Sequence, residues 1–518
     1  MNGAQSSSGL IPASLRGEEV ELNIRPLHEY LETAAIDCPD RPWLNDGPVR
    51  LTFAQGRDLV ERIATWLVAG GLLPGDRVAL LMPNCIPYAL FAFACWRQGI
   101  VLVGLNPLYS DAMLHRLAQD SRPVLIVALA RDGLPDRLDK IIADLPTRQI
   151  VVATDDCSDL PLYIDDWEAS EPCPTPVLAV LQYTGGTTGV PKGAMLSHNN
   201  ISACVEQILF DMKKFRRGQE SFLALGPFSH VIGSTLTLSL ATSVAAEIVI
   251  PERFHAEQTT QYCLDRRISV IFAVPTVFGA MANSVAASQG DWSGLVYAMC
   301  GGAPLPLSVQ SDFERVTGRR LLQGYGSSET SSAAVYTAAE CTYPIGSVGK
   351  PMVNCSIDIV LPNGMAVAEG GIGEICVTGP NVMEGYWTGH SPLKPNILPG
   401  RFPTGDSGYV RDGYLFVVDR LKDVIIASGY NIYPAQVEEV LSAHPAIAEI
   451  AVVGVPDSYR GETVKAVAVL RPNQSLTLDI LQMFARDKLS AMEMPRILQI
   501  VDALPRTAVG KIAKTELR

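Results

Sequence analysis

The sequence predicts an α/β chain: a large N-terminal domain with two sheet-and-helix subdomains and a small β-rich subdomain, then a small α+β domain at the C-terminus. Three changes of texture carry that expectation. Over most of the first 330 residues, short apolar runs alternate with amphipathic stretches, the pattern of parallel strands covered by helices. From about Ala333 to Val418, short strands are separated by Gly and Pro turns. After Arg420-Leu421-Lys422-Asp423 comes a helix-and-strand unit of roughly 100 residues, enough to fold by itself. The boundaries read as 1–419, with the β-rich part about 333–418, a joint at 420–422, and 423–518.

The elements follow in order. Val78 to Trp96 is the most apolar stretch, but Pro83, Asn84 and Pro87 break it. A strand, a turn and a buried helix fit it better than a membrane span. Val177 to Tyr183 reads as a buried strand leading into a glycine-rich turn. Behind the polar cap Ser197-His198-Asn199-Asn200, apolar residues recur at Ile201, Cys204, Val205, Ile208, Leu209 and Met212, which is helical spacing. The apolar run Val270 to Val274 fits either a core strand or a tunnel wall. A second strand–turn–helix unit runs through Leu295 to Cys300, the turn Gly301-Gly302-Ala303-Pro304, and a helix near Ser308 to Val316. Leu321 to Gly326 is a strand ending in a polar loop. Ser356 to Leu361 and Gly373 to Thr378 are strands of the β-rich part. Pro434 to Leu441 is a helix with proline in its first turn. Ile447 to Val455, Thr463 to Leu470 and Ile497 to Val501 are strands, and Leu478 to Leu489 is helical.

Composition sets limits on function. At 518 residues, 47% apolar and 18% charged, the chain has material for more than one core and is not disordered throughout. A net charge of −13 repels a long polyanion and argues against nucleic acid as a partner. A small anion is a different case, because local donors decide it. Eleven cysteines without a CxxC pair suggest neither a zinc cluster nor a disulfide framework, but thiols in a reducing compartment. Met1 to Ser8 has no basic region followed by an apolar core, and Asn2 stands where myristoylation needs glycine. The expectation is a soluble cytoplasmic protein with no membrane span, and a homodimer is compatible with it.

The chemistry concentrates in two segments. Thr184-Gly185-Gly186-Thr187-Thr188-Gly189-Val190-Pro191-Lys192-Gly193 is built to hold phosphates. Its glycines let backbone N–H groups approach phosphate oxygens, its threonine hydroxyls add donors, and Lys192 adds charge. It is neither a Walker A loop nor a dinucleotide fingerprint. Near the end, Pro505 to Lys514 places Lys511 in a polar tail, a cation able to meet a carboxylate beside those phosphates. Together they suggest an enzyme that activates a carboxylic acid by attaching it to a nucleotide.

With these residues in view the chain resembles the adenylate-forming superfamily, in its acyl-CoA synthetase, fatty-acid or aryl-CoA ligase branch. The phosphate loop is similar to that family's Thr-Ser-Gly-Thr-Thr-Gly-x-Pro-Lys-Gly element, with Gly185 where Ser is usual. Gly324-Tyr325-Gly326-Ser327-Ser328-Glu329-Thr330 resembles the Tyr-Gly-x-Thr-Glu motif, with Ser328 for Thr. The resemblance implies that Glu329 holds Mg²⁺, a hard cation that wants oxygen ligands. It also implies that Tyr325 and the turn Gly301-Gly302-Ala303 flank adenine and the acyl carboxylate. Outside this context Glu329 would read as a solvated loop acid. Thr404-Gly405-Asp406 resembles the ribose-binding aspartate, a carboxylate able to accept from two vicinal hydroxyls. Arg420 follows at the family spacing, after Asp419 where Gly is commoner, and is expected to reach the ribose. Lys422 matches the hinge position.

Two further segments resemble the family less closely. Pro227-Phe228-Ser229-His230-Val231-Ile232-Gly233 is similar to its Pro-x-Phe-His-x-x-Gly element, with Ser229 for Phe. That places His230 beside the acyl site, although a lone histidine is more often structural. No aspartate stands between Phe228 and Ser234 to pair with an amine, which argues against an amino-acid substrate. Ser428-Gly429-Tyr430-Asn431-Ile432-Tyr433-Pro434 resembles the loop lining the CoA pantetheine channel, with Gln436 where Glu is frequent and Glu438 retained. A plain helix-start loop would look the same.

The resemblance implies two half-reactions with ATP, Mg²⁺ and CoA. The acid attacks the α-phosphate of ATP to give acyl-AMP and pyrophosphate; a thiol then takes the acyl group and releases AMP. Lys511 bridges carboxylate and α-phosphate in the first step and is not needed in the second, for which the C-terminal domain turns about Lys422 and brings in Gly429. Medium or long fatty acids and aryl acids remain open. So do a carrier-protein pantetheine or an amine as acceptor, and, from another class, a catalytically silent nucleotide-binding protein.

Overall fold

The computed structural model describes residues 13–131, 133–152, 169–174, 177–184, 192–338, 341–389, 401–427, 430–457, 459–507 and 511–518. Its architecture is the α/β one expected, in four sheets. The first has seven strands in the order Gly385–Tyr386, Lys192–Ser197, Leu178–Thr184, Val101–Leu105, Arg77–Leu81, Leu125–Leu129, Arg148–Val152. From Leu178–Thr184 to Arg148–Val152 all neighbours are parallel; the other two are antiparallel. The Val- and Leu-rich central strands are buried on both faces, as parallel strands between helices must be. The apolar stretch after Arg77 resolves into that strand and the helix Ile86–Arg97, buried along its whole length.

The second sheet runs Lys350–Pro351, Val335–Tyr336, Leu321–Tyr325, Tyr297–Cys300, Val270–Ala273, Ser221–Leu223, Glu247–Val249, Pro42–Asn45, Arg50–Thr52. Its interior neighbours are parallel. Val270–Ala273 is a central, fully buried strand here, so the run is core, not tunnel wall, up to Ala273. Helix His198–Asp211 begins at Ser197, whose hydroxyl and Asn200 form a reciprocal cap, as the polar residues there suggested.

The third sheet is antiparallel: Ser14–Arg16, Ser356–Val360, Gly373–Thr378, Phe402–Arg411, Tyr414–Arg420. It differs from the sequence reading at both ends. Ser14–Arg16 joins it from the far N-terminus, while Val335–Tyr336 and Lys350–Pro351 extend the second sheet instead. Pairing over more than 300 residues leaves no local trace in three residues of strand. The fourth sheet lies beyond residue 422. It pairs Ile425–Ala427, Tyr430–Ile432, Ile447–Asp457, Gly461–Leu470 and Ile497–Ile500, with the helices Pro434–Ser442 and Leu478–Ala485 and its own apolar core. The second helix ends at Ala485, a turn earlier than the sequence suggested.

Four strand ends position the site. Leu178–Thr184 runs into the phosphate loop, Val270–Ala273 into Val274, Tyr297–Cys300 into Gly301, and Leu321–Tyr325 into Gly326. All four are C-terminal ends of strands in parallel pairing, where open α/β sheets bind ligands.

Candidate active site

The second sheet supplies the floor. Gly302 has φ +79°, and a Cβ there would lie 3.5 Å from Ile232 Cδ1 and 3.7 Å from both Val274 Cγ1 and Lys511 Cε. The turn therefore needs a glycine, and the Lys511 side chain reaches it from the C-terminal domain. A Cβ on Gly326 would fall 2.4 Å from the Ser332 carbonyl oxygen, and one on Gly324 would sit 3.4 Å from Met299 Sδ. Ala303 follows in the same bend, and Ser328 is buried at the start of the short turn Ser328–Thr330.

The third sheet supplies an acid. Asp406 and Arg420 face each other across the strands Phe402–Arg411 and Tyr414–Arg420. Arg420 Nε lies 3.1 Å from Asp406 Oδ1, and Tyr325 Oη donates to Oδ2 at 2.9 Å. Burial pushes the Asp406 carboxyl up from its usual range, and the Arg420 charge and the Tyr325 hydroxyl oppose that. Burial and the Asp406 charge both keep Tyr325 a neutral phenol.

Glu329 stands on the turn Ser328–Thr330. Its carbonyl oxygen accepts from Met383 N at 2.8 Å, and its Oε1 accepts from Tyr386 Oη at 2.7 Å. Tyr386 lies on the edge strand paired with Lys192–Ser197, and Lys192 Nζ sits 5.1 Å from its ring centroid. One aromatic ring thus connects the end of the phosphate loop to Glu329. The backbone of Thr184 is described, but Gly185, Gly186, Thr187, Thr188 and Gly189 lie outside the described residues, as do Ser428 and Gly429 of the expected CoA channel. Tyr430 is exposed.

His230 lies close to Lys511. The loop carrying it is pinned by Asn84, whose Nδ2 donates to the carbonyls of Ala224 and Gly226 and whose Oδ1 accepts from Phe228 N at 2.7 Å. Gln182 Nε2 adds a bond to the Ser229 carbonyl at 2.9 Å. A Cβ on Gly233 would lie 2.1 Å from the Pro227 oxygen, so the π-helix Ile232–Ser239 can begin only with glycine at this point. His230 Nδ1 accepts from Ile232 N at 3.3 Å, which leaves the proton on Nε2. Burial first, and the Lys511 charge second, push its pKa down to about 3. It is a neutral imidazole at physiological pH.

Lys511 stands where the chain near the C-terminus pairs back on itself. Thr507 N donates to the Lys511 carbonyl at 2.7 Å, Lys511 N to Thr507 Oγ1 at 3.2 Å, and Arg506 pairs with Ile512. Ile512 packs into the core of the C-terminal domain, so the base is anchored and the lysine projects. Burial lowers its pKa below the usual lysine range, Arg420 adds to that, and Asp406 and Glu329 counter it. Lys422 is exposed at the joint. The structure thus gathers Lys511, His230, Gly302, Asp406, Arg420, Tyr325 and Glu329 in one cleft.

Asn84 and Tyr386 were not singled out as site residues by the sequence. Asn84 looked like a turn residue, and Tyr386 reaches Glu329 only through sheet pairing distant in the chain.

Comparison with known proteins places the chain in a family. Residues 31–387 match the family described as AMP-binding enzyme, and residues 436–511 match the AMP-binding enzyme C-terminal domain. A long-chain-fatty-acid–CoA ligase of Bacillus subtilis is 32% identical, the alignment covering 96% of this chain and 95% of that protein. A feruloyl-CoA synthase of an Amycolatopsis species is 34% identical over 93% of this chain and 96% of its own length. The crystal structure of ATP-bound MatB from Rhodopseudomonas palustris superposes with a TM-score of 0.87 at 26% identity, covering 95% and 98% of the two chains.

Proposed function

The chain belongs to the AMP-binding enzyme family as an AMP-forming acid–CoA ligase, and on that premise we propose that it activates a hydrophobic carboxylic acid, a medium- or long-chain fatty acid or an aryl acid. The observation that carries the reading is Lys511, brought from the C-terminal domain against Gly302 and between His230, Asp406 and Glu329.

A carboxylate approaching the α-phosphate of ATP brings two anions together. The Lys511 ammonium offsets that repulsion where both meet, and does so more strongly in a cleft that excludes water. Neutral His230 presents an Nε2–H to the acid without adding charge. Asp406 and Arg420 suit the ribose hydroxyls, and Lys192 and the loop before it suit the phosphates. The Glu329 donor set fits Mg²⁺: a single hard carboxylate, one oxygen of it oriented by Tyr386, leaving other coordination positions to phosphate and water. When bound, that ion supplies neutralisation of the departing pyrophosphate. The thiol of CoA then attacks the acyl-adenylate, whose leaving group is AMP. This second step asks nothing of Lys511, and we read Lys422 as the joint about which the C-terminal domain turns between steps.

Ile232, Val274 and Met299 around the two glycines support a hydrophobic acid. Each methylene buried there contributes ~0.8 kcal/mol, about fourfold in kcat/KM. Acid-dependent exchange of pyrophosphate into ATP, measured with octanoate, dodecanoate, palmitate, ferulate and malonate, tests this. The hydrophobic acids are expected to lead; a preference for malonate overturns the acid class. Offering CoA, a carrier-protein pantetheine and an amine to the winning adenylate decides the acceptor, and CoA is expected.

A further inference from the structure

The helix Pro434–Ser442 of the C-terminal domain begins without a cap of its own. Its N-cap residue, Tyr433, makes no side-chain hydrogen bond to the first turn, and Pro434 has no N–H to offer. The first N–H in need of a partner, on Ala435, donates at 2.7 Å to Asp419 Oδ2. Asp419 belongs to the other domain: it lies on Tyr414–Arg420, the last strand of the antiparallel sheet before the joint. Its second oxygen accepts from Arg420 N at 2.7 Å, and its own carbonyl accepts from Ser407 Oγ at 2.9 Å, so the carboxylate is held in place from below. The cap therefore crosses between domains.

The same helix is tied to the segment that carries Lys511. Glu438 Oε1 accepts from Val452 N at 2.7 Å and pairs with Lys514 Nζ at 2.7 Å. Lys514 is attracted to Asp419 as well as to Glu438. Asp419, the helix start, Glu438 and Lys514 thus form a continuous connection from the third sheet to the short helical turn Lys514–Leu517 that follows Lys511.

We propose that Asp419 is a positioning residue: by capping the helix Pro434–Ser442 from across the joint, it holds the C-terminal domain in the orientation that delivers Lys511. A carboxylate at a helix start gains both the hydrogen bond and the favourable end of the helix dipole. Both are lost once the helix turns away with its domain, so Asp419 biases one orientation and not the other. The inference rests on the two-step reading of Lys511 above.

The test uses the full chain, with dodecanoate and ferulate as acids and their synthetic adenylates as substrates. Pyrophosphate exchange and thioester formation from supplied adenylate are measured separately for wild type, Asp419→Ala, Asp419→Asn and Lys511→Ala. Asp419→Ala is expected to lower exchange roughly tenfold, the usual scale of a lost cap, while thioester formation is kept or raised. Asp419→Asn retains one acceptor oxygen and should lose less; it also serves if the alanine variant folds poorly. If both half-reactions fall together in the asparagine variant, or neither changes, the proposal is overturned. If Lys511→Ala itself fails to separate the two half-reactions, it is the underlying reading of Lys511 that has failed.

Discussion

On the N-terminal side of the cleft, the charged groups are held by several fixed partners. Asp406 meets Tyr325 at 2.9 Å and Arg420 at 3.1 Å, Glu329 is gripped by Tyr386 at 2.7 Å, and the His230 loop hangs on Asn84. On the C-terminal side, Lys511 projects beside Ile512, which is anchored in the core of the C-terminal domain. The difference matches the chemistry. On the proposed reading, ribose and adenine are common to ATP and acyl-AMP, so the groups assigned to them would serve both half-reactions and can be rigid. On the same reading Lys511 would serve only one, and a removable arm suits it.

The largest expected effect is the loss of that arm. Lys511→Ala should lower pyrophosphate exchange by ~10²–10³, the scale of one lost transition-state contact, while CoA still consumes supplied acyl-AMP. Equal loss of both would break the distinction between wall and arm. Asp406→Ala should behave in the opposite way. It takes the acceptor from the Tyr325 hydroxyl and the partner from the half-exposed Arg420 guanidinium, and removes a charge-assisted acceptor at a buried position, costing roughly tenfold to a hundredfold in both half-reactions. A selective loss of exchange in this variant would show that Asp406 is not a shared binding group.

How much of this was legible in the sequence follows the same division. The parallel strands and covering helices are local patterns, and residues 201 to 212 showed their helix from spacing alone. Thr184 to Lys192, Asp406 and Glu329 could be picked out because each stands in a short segment that resembles a family motif. Ser14–Arg16 was missed from the third sheet, and Val335–Tyr336 pairs with the second sheet although it packs into the third sheet's core, because pairing between distant strands leaves no periodicity in either. Tyr386 and Asn84 were missed for the same reason: their partners lie 57 and 144 residues away in the chain. Asp419 was visible only as a departure from a family pattern; its partner, the N–H of Ala435, is set by how two domains meet.

Titration sharpens the comparison without removing any atom. Burial, then Arg420, holds the Lys511 ammonium below the ordinary lysine pKa. The active form is the protonated one, so exchange should decline as pH rises through that lowered pKa. Thioester formation from supplied adenylate should lack this alkaline limb. Lys511→Arg keeps its charge at any accessible pH and should move the limb upward, at some cost in fit. His230, with its pKa near 3, should add no inflection between pH 5 and pH 9. Parallel profiles for the two half-reactions would remove Lys511 as the group responsible.

The smallest expected effect probes the wall itself. Tyr386→Phe deletes the hydroxyl that Glu329 Oε1 accepts at 2.7 Å and keeps the ring beneath Lys192. A freed carboxylate samples more orientations, so the Mg²⁺ concentration for half-maximal exchange should rise by roughly fivefold, the scale of one hydrogen bond. Calorimetric binding of ATP at graded Mg²⁺ should show the same shift without turnover. Tyr386→Leu also removes the ring and should weaken ATP binding further, even at saturating Mg²⁺, because Lys192 loses its cation–π partner. An unchanged Mg²⁺ requirement in the phenylalanine variant would mean that the Ser328–Thr330 turn orients Glu329 without help. The rigidity of the wall would then come from the backbone, chiefly the bond from Met383 N to the Glu329 carbonyl, rather than from the tyrosine.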